Sequence, residues 1–512
     1  MHVCTPAALL LVPLFASTLL ACSASGDGLP LQDALSTSPS GLPSLLPSKA
    51  TNGPQLFVAT NGDDGNPGTK DQPWRTIQKA MDSATPGSTV NIRSGTYNER
   101  LSVNVSGAPN APIVFQPYGF GASPSCGGYT GADCAGENVV LDYGYLGTVG
   151  DSTPTLSISN RQHIVIQGIV FQNFTNSGTN GYGIRIGDGS SDVELGHVKV
   201  LGYQNSNWVN GFTAGALQVV RVEGASTSDV RFRYSEFGNT RSNWSETLTF
   251  DLGTHDGLVE GSWFHDTDGI ATGAYQNANH LTFRDNRFEF IGYKRDGTAY
   301  YPGVDAGIAI YNDGGHDFLA EGNTISDSSL TFENMSEPWC IGQGWDSYDV
   351  VFRNNVSIDN RGSQAITVGT WYTSDDPTGR SIHDVQIYNN TIYGAQNIAI
   401  KVLPFGANVV VRNNIVANSG FANYTNDAGF DVGGTFDYNL YAGGNHGPDA
   451  HPVNGDPKFA NPAAGNFSLL PGSAAIGAGD PSTTSASAGD VDALGAPRFG
   501  GGRVSLGAIQ GH

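Results

Sequence analysis

A short strand-like pattern that contains an asparagine recurs through the middle of the chain. The Asn falls at positions 286, 323, 355, 390 and 414, so successive copies are separated by 37, 32, 35 and 24 residues. Each copy has alternating apolar residues, then the Asn, then a second short apolar stretch, as in residues 385–392. We interpret these spacings as a basic coil of ~22–25 residues with loop insertions.

Stacked coils of this kind form a parallel β-solenoid. Asn tolerates the left-handed backbone of a sharp corner between strands, and coils ~4.8 Å apart would let the asparagines form a hydrogen-bonded ladder. A β-propeller is the alternative, but its blades need ~40–50 residues and antiparallel hairpins. The repeat therefore predicts an all-β fold built as a parallel β-helix.

Composition agrees with a strand-rich fold and excludes one class of partner. The 512 residues include 69 Gly, and charged residues make up only 14%. With 47 acidic and 25 basic residues, the net charge is −22. No nucleic acid is therefore expected as a partner, because binding through a general basic surface needs clustered Lys and Arg.

The N-terminus carries an export signal. Residues 5–21 are apolar, and the sequence LLAC at 19–22 resembles the lipobox of bacterial lipoproteins. We expect a signal peptide over residues 1–21. Residues 22–53 would then comprise the lipid-anchor Cys22 and a flexible linker. An ordinary secretory signal is the alternative. Cys126 and Cys134 bracket a Gly-rich loop and are a predicted disulfide. The mature protein should be extracytoplasmic, with a membrane contact only through the lipid.

The segment 55–99 contains FVATNG (57–62), NPGT (66–69), WRTIQKA (74–80), PGSTV (86–90) and RSGTY (93–97). It resembles the N-terminal segment of right-handed parallel β-helix proteins of the pectate-lyase-like superfamily. Residues 466–476 are similar to the tail that often closes such proteins. The resemblance implies a capping helix at 74–84, an N-terminal cap and first coil over 54–110, the β-helix over 111–445, and a closing segment over 446–512. This superfamily includes lyases, glycosidases, epimerases and non-enzymes, so fold alone does not determine activity.

Aligning the strands that open successive coils places acidic residues in a column. The aligned stretches are 247–251, 270–274, 308–311, 340–343, 366–369 and 398–401. Asp268, Asp305 and Glu337 precede three of them at matching positions. Stacked carboxylates repel one another, so a bound Ca²⁺ or an acid/base pair would explain them; capping of corner backbone amides is the alternative.

Aromatic and acidic residues near this column suit a sugar ring, whose apolar face stacks while its hydroxyls seek acceptors. The predicted substrate-binding residues are Asp251, Tyr311, Asp313, His316, Trp345, Asp346 and Trp371.

The insertion 292–301 supplies two bases in a lysine-poor chain. A lyase of this superfamily would need a base to remove the proton α to a uronate carboxyl and a cation to neutralise that carboxyl. Lys294 is the preferred base, followed by Arg295 and then Lys401. Because a net charge of −22 repels a polyuronate, bound cations or a local basic patch would have to offset it.

Three functions follow as hypotheses. The first is a polysaccharide lyase that cleaves an acidic, uronate-containing glycan by β-elimination. The second is a glycoside hydrolase that uses two of Asp268, Asp305 and Glu337 as acid and base. The third is a non-catalytic surface protein that binds carbohydrate. In each case we expect a monomer with a polysaccharide partner.

Overall fold

The computed structural model describes residues 53–121, 136–150, 152–178, 180–207, 216–243, 245–302, 305–335, 345–369, 382–403, 406–419, 424–425, 434–443, 449–499 and 502–511. Predicted features at 1–21, Cys22, Cys126, Cys134, Glu337 and Trp371 lie outside these residues. No helix within the described ranges is long and apolar enough to span a membrane.

Each coil contributes one strand to each of three long sheets, which we name A, B and C in the order in which the chain enters them. Every pairing between neighbouring strands of these sheets is parallel, as in the pairing of Val170 with Lys199. The right-handed parallel β-helix predicted from the sequence is confirmed.

The strands of sheet A are Gln55–Val58, Thr89–Ile92, Ile113–Pro117, Gln162–Gln167, Ser191–Gly196, Ser228–Arg233, His255–Glu260, Asn279–Arg284, His316–Glu321, Ser347–Arg353, Ile382–Tyr388, Gly406–Arg412 and Gly434–Asp437. Those of sheet B are Gly95–Tyr97, Val139–Asp142, Val170–Gln172, Lys199–Leu201, Glu236–Gly238, Trp263–Thr267, Arg287–Ile291, Thr324–Ser326, Val356–Ile358, Thr391–Tyr393, Ile415–Ala417, Leu440–Ala442 and Val453–Asn454. Those of sheet C are Leu101–Val103, Leu156–Ser159, Asn180–Gly187, Ala216–Glu223, Glu246–Asp251, Ile270–Tyr275, Ile308–Asp313, Leu330–Met335, Gln364–Val368, Ile398–Val402 and Tyr424–Thr425.

A short three-stranded sheet lies between sheets B and C and contains Thr148–Val149, Thr175–Asn176 and Gln204–Asn205. Phe459–Asn461 and Asn466–Leu469 form an antiparallel pair near the C-terminus. The helices are Ile77–Ser83 and Ser485–Ala488, and the 3₁₀ turns are Tyr143–Leu146 and Pro462–Ala464.

Helix Ile77–Ser83 closes the N-terminal end of the solenoid, as the resemblance implies. Thr76 caps it by accepting a hydrogen bond from the Lys79 amide at 3.1 Å. Its buried residues Ile77, Ala80 and Met81 join the main apolar core. The helix thereby covers strand edges that would otherwise be open to pairing with other chains.

The predicted asparagine ladder lies at the corner between sheets A and B. Nδ2 of each Asn donates to Oδ1 of the next, from Asn286 to Asn323 (3.0 Å), Asn355 (2.9 Å), Asn390 (3.1 Å) and Asn414 (3.0 Å). The same Oδ1 atoms accept backbone amides of the preceding coil. The ladder thus pairs buried corner groups that have no strand partner.

The expectation that these asparagines adopt left-handed backbone is wrong by one residue. Positive φ occurs at the residue before the ladder Asn, which is Asp285, Gly322, Asn354, Asn389 or Asn413. The left-handed residue makes the turn. The ladder Asn that follows it then directs its side-chain amide along the solenoid axis toward the next coil.

One strand of the sequence alignment is also wrong. Between Ile308–Asp313 and Gln364–Val368, sheet C contains Leu330–Met335, where the sequence alignment placed residues 340–343. Leu330 pairs with Ile308, and Phe332 with Ile310.

The C-terminal segment packs on the outer face of sheet B. Phe467 and Ile509 pack against Val356 and Ile358. At the adjoining corner, Arg498, which is 2% exposed, donates to Asn354 Oδ1 at 2.6 Å. This half of sheet B is therefore covered, which leaves other faces for a ligand.

Candidate functional site

Sheet C presents an outward row of polar residues that its register stacks coil on coil. Arg221 lies between Val220 and Val222, which are fully buried in the core, so its side chain points outward. The positions in register with Arg221 hold Thr249, Gly273, Tyr311, Glu333, Thr367 and Lys401. This row runs along the solenoid, and most of its members are buried: Thr249 and Thr367 fully, and Tyr311 and Lys401 almost fully.

Arg221 is the centre of a charged cluster on this face, which we call the sheet C cluster (Arg221, Glu223, Glu246 and Asp251). Its Nη2 donates to Asp251 Oδ2 at 2.7 Å, and its Nε lies 2.7 Å from Glu223 Oε2. Its Nη1 donates to Gln218 Oε1 at 2.8 Å and to Tyr182 Oη at 3.2 Å. Arg185 holds the other Glu223 oxygen at 2.6 Å. The guanidinium is thus fixed by three neighbouring strands.

Asp251 has an unusual environment for a carboxyl group. Its side chain is 6% exposed, and burial raises its pKa to about 6. Arg221 lowers this pKa, whereas Glu246 and Glu223 raise it. Glu246 is also buried; its Oε2 accepts from Ser245 Oγ at 2.9 Å and from Gln218 Nε2 at 3.4 Å. A carboxyl with a pKa near neutrality can exchange a proton during a reaction.

Three of the predicted substrate-binding residues, Asp251, Tyr311 and Asp313, lie on this face. Asp313 pairs with Tyr275, and Tyr275 occupies the position in register with Asp251, so the two carboxylates are two coils apart in one column. Tyr275 and Tyr311 pack edge to face with centroids 5.3 Å apart.

His316, Trp345 and Asp346 lie elsewhere, at the start of sheet A strands or just before them. The His316 ring stacks on Tyr348 at 4.4 Å, and its Nδ1 is 2.7 Å from Asp317 Oδ2. Trp345 and Asp346 precede strand Ser347–Arg353, and Trp345 lies against Gly314. The sequence therefore grouped residues that the fold places on two different sheets.

Two acids of the predicted column, Asp268 and Asp305, lie within the described residues, and both accept backbone amides. Asp268 is fully buried: its Oδ1 accepts from the Ser242 amide at 2.8 Å, and its Oδ2 from Tyr301 Oη at 2.7 Å. Burial raises its pKa despite these bonds. Asp305 accepts the Ser363 amide at 3.0 Å. Thr272 pairs with Ile310, and the same register continued four residues toward the N-terminus brings Ala306, rather than Asp305, opposite Asp268.

Both described acids of the column therefore cap backbone amides, which was the alternative to catalysis or metal binding. Asp268 has donors on both oxygens and does not fit a Ca²⁺ ligand. Over the described ranges, no three His, Cys, Asp or Glu side chains are grouped so that they could hold a metal ion.

The insertion 292–301 packs at the corner between sheets B and C, where it forms what we call the corner cluster (Arg241, Lys294 and Tyr300). Arg241 Nη2 donates to Tyr300 Oη at 2.7 Å, and Lys294 Nζ lies 5.6 Å from the Tyr300 ring centroid. Arg295 is held in a bidentate pair with Asp266, with Nη2 to Oδ2 at 2.6 Å. The structure thus brings Lys294, Arg295 and Asp268 to one corner and not over the sheet C cluster.

The sequence did not identify Arg221. Glu246 was left out of the predicted acidic column because it lies one position out of register with Asp268, Asp305 and Glu337. A signal was present in ALQVVRVE (216–223), where Arg and Glu replace the polar residues of an alternating strand. Charged residues that alternate with buried apolar residues in this way indicate that the outward face of the strand is charged.

Comparison with known proteins gives the fold a context. Residues 60–195 match a family model described as a protein of unknown function (DUF1565). The Bacillus subtilis protein YwoF, described as uncharacterized, is 24% identical over 421 residues, covering 76% of this chain and 80% of that protein. Pectate lyase PEL9 of Emericella nidulans is 25% identical over 374 residues, covering 65% of this chain and 81% of that protein.

Among solved structures, a mannuronic acid specific family 6 polysaccharide lyase from human gut microbiota superposes with a TM-score of 0.51 at 13% identity. The superposition covers 78% of this chain and 82% of the chain of that lyase. This likeness supports the β-helix fold.

Proposed function

We propose that the protein is an extracytoplasmic enzyme that cleaves an acidic, uronate-containing polysaccharide by β-elimination at the sheet C cluster. The similarity to a pectate lyase supports this reaction class. The observation that carries the proposal is the contact between Arg221 and Asp251, which joins a cation to a carboxyl whose pKa is about 6.

β-Elimination needs two things that this pair supplies. A cation must neutralise the uronate carboxylate so that the α proton becomes more acidic, and a nearby group must accept that proton. In our proposal Arg221 binds the sugar carboxylate and Asp251 accepts the C5 proton. The electron pair forms the C4=C5 double bond as the C4–O4 bond breaks, and the departing oxygen takes a proton from water. Tyr311 and Asp313 provide contacts for neighbouring sugar residues farther along the same face.

A glycoside hydrolase is the second candidate, and a specific observation favours it. Glu246 and Asp251 lie on one strand, and the charge of Glu246 contributes to the raised pKa of Asp251. A carboxyl group with a raised pKa, such as Asp251, can serve as the acid of glycoside hydrolysis beside a second carboxylate. Asp251 would then be the acid and Glu246 the base or nucleophile.

Product analysis separates the candidates. Purified protein is incubated with polygalacturonate, alginate and a glycosaminoglycan, with and without a chelator. β-Elimination gives one ultraviolet-absorbing unsaturated uronate for each new reducing end, whereas hydrolysis gives reducing ends alone. The Asp251→Asn variant should lose either activity. Glycan binding without products in the wild-type protein would overturn both and favour a non-catalytic surface protein. Loss of activity with chelator would support the predicted Ca²⁺.

A further inference from the structure

The corner between sheets B and C contains an open depression in the N-terminal half of the solenoid. Its volume is about 440 Å³, within the ~300–1,000 Å³ typical of ligand sites. Its lining consists of Gly144, Asn173, Thr175, Gly202, Gln204, Asn239 and Arg241. None of these residues belongs to the sheet C cluster, so the depression is a second place where a ligand could bind.

The polar lining is organised by the stacking of coils. Asn173, Gly202 and Asn239 are the left-handed corner residues of three successive coils. Thr175 pairs in register with Gln204, and Gln204 forms a bridge with Arg241. Amide and hydroxyl groups therefore recur at the coil spacing of ~4.8 Å along the depression. Such groups both donate and accept hydrogen bonds, as sugar hydroxyls require.

Arg241 lies at one end of the depression and is held rigidly. Its Nη1 donates to the carbonyls of Thr240 at 2.6 Å and Asp266 at 2.7 Å, and its guanidinium carbon lies 4.2 Å from the centroid of the Tyr300 ring. These hydrogen-bond partners are neutral, and the charge of Arg241 also lowers the pKa of the nearby buried Asp268. A fixed guanidinium loses little further entropy when it binds an anion.

The second cation of the corner cluster, Lys294, is exposed, and its ammonium lies 5.6 Å from the centroid of the Tyr300 ring. Neither Arg241 nor Lys294 forms a salt bridge with another described residue. By contrast, Arg221, Arg231 and Arg295 all pair with carboxylates. Arg241 and Lys294 are thus two cations without a salt-bridge partner among the described residues, and Arg241 lines a polar depression in a chain of net charge −22.

We propose that the corner cluster and the depression form a second, non-catalytic binding site for an acidic polysaccharide. A sugar carboxylate binds Arg241 and Lys294, and the hydroxyls of the adjoining sugars bind Gln204 and Asn239. The site holds the polymer against a protein that would otherwise repel it. The polymer class rests in part on the proposed function, but the binding itself needs no catalysis.

The test measures binding in the full chain carrying Asp251→Asn, so that the polymer is not degraded. Isothermal titration compares polygalacturonate with the same polymer after full methyl esterification, which removes the charge and keeps the sugar. We expect Lys294→Gln combined with Gln204→Ala to raise the Kd for polygalacturonate at least tenfold. Lys70→Gln, an equal charge change at an exposed lysine of the N-terminal cap, should leave the Kd unchanged.

Two results would overturn the proposal: an unchanged Kd in the double variant, or equal binding of the charged and the esterified polymer. Circular dichroism and thermal melting check that the double variant is folded, which its exposed positions favour. The outcome is separate from that of the proposed function. Charge-dependent binding without any product in the wild-type protein would support this site and refute the enzyme, and cleavage with unchanged binding would do the reverse.

Discussion

Arg221 donates a 2.7 Å hydrogen bond to Asp251 across neighbouring strands of sheet C. The same guanidinium lies 2.7 Å from Glu223, and Glu246 is linked to it through Gln218. One cation therefore stabilises three largely buried carboxyl groups, and the proposed chemistry and the local stability depend on the same side chain.

Arg221→Gln should be strongly destabilising. Breaking a buried ion pair by removing one partner costs about 3–5 kcal/mol, because the other charge stays buried and unpaired. The free energy of unfolding in urea measures the loss. Arg295→Gln is the matched control: its side chain is 56% exposed, and its pair with Asp266 should contribute only about 0–1 kcal/mol. Equal losses in the two variants would contradict the central position of Arg221.

The pH dependence of the rate should report Asp251. Its pKa is about 6 rather than the usual 3.8, and Arg221, Glu246 and Glu223 are the charged groups that act on it. As the base of β-elimination it must be deprotonated, so kcat/KM should rise with pH through about 6. As the acid of hydrolysis it must be protonated, so the rate should fall over the same range. A profile that is flat near pH 6 would exclude both roles.

Asn355→Ala should break the asparagine ladder. Asn355 is 1% exposed, accepts from the Asn323 amide and side chain at 2.9 Å, and donates to the Ala320 carbonyl at 3.0 Å. Each buried group left without a partner costs about 1–3 kcal/mol, so the total loss should be at least about 3 kcal/mol.

Thermal or urea unfolding measures the loss from Asn355→Ala. Asn98→Ala, at an exposed position in the N-terminal cap, should change stability by no more than about 0.5 kcal/mol. A loss at Asn355 no larger than that would mean that the ladder adds nothing to the stability of the solenoid.

The ladder shows what sequence can predict in a repeat fold. A regular Asn spacing identified the solenoid and its corner, because each coil obeys the same backbone geometry. It could not tell which of two adjacent residues turns the chain, since Asn suits both positions at 354 and 355. The varying length of the insertions misled the alignment at one coil, where the apolar residues 340–343 were taken as the sheet C strand in place of Leu330–Met335.

The candidate site was harder to predict than the fold because charge pairing across coils depends on register. Asp251, Tyr311 and Asp313 were identified by residue type, and they share one face. Arg221 was missed because its partner Asp251 becomes a neighbour only when strands Ala216–Glu223 and Glu246–Asp251 pair in the correct register. Asp268 looked catalytic because a fully buried amide-capping carboxylate and a reactive one have the same sequence signature.

Lys294→Gln tests the predicted lyase base directly. If Lys294 abstracts the proton, kcat should fall by two or more orders of magnitude, as expected for loss of general base catalysis. Our account places Lys294 beside Tyr300 in a binding site, so we expect KM to rise more than kcat falls. Steady-state kinetics over a range of ionic strength make the comparison, because binding through Lys294 should weaken as salt increases.

The most direct test of the proposed function is the ratio of unsaturated ends to new reducing ends released from polygalacturonate and alginate, measured on wild-type protein and on Asp251→Asn. We predict a ratio near one for the wild type and no product for the variant. Reducing ends without unsaturated ends would replace β-elimination by hydrolysis. Undiminished cleavage by Asp251→Asn would contradict the assignment of the reaction to the sheet C cluster.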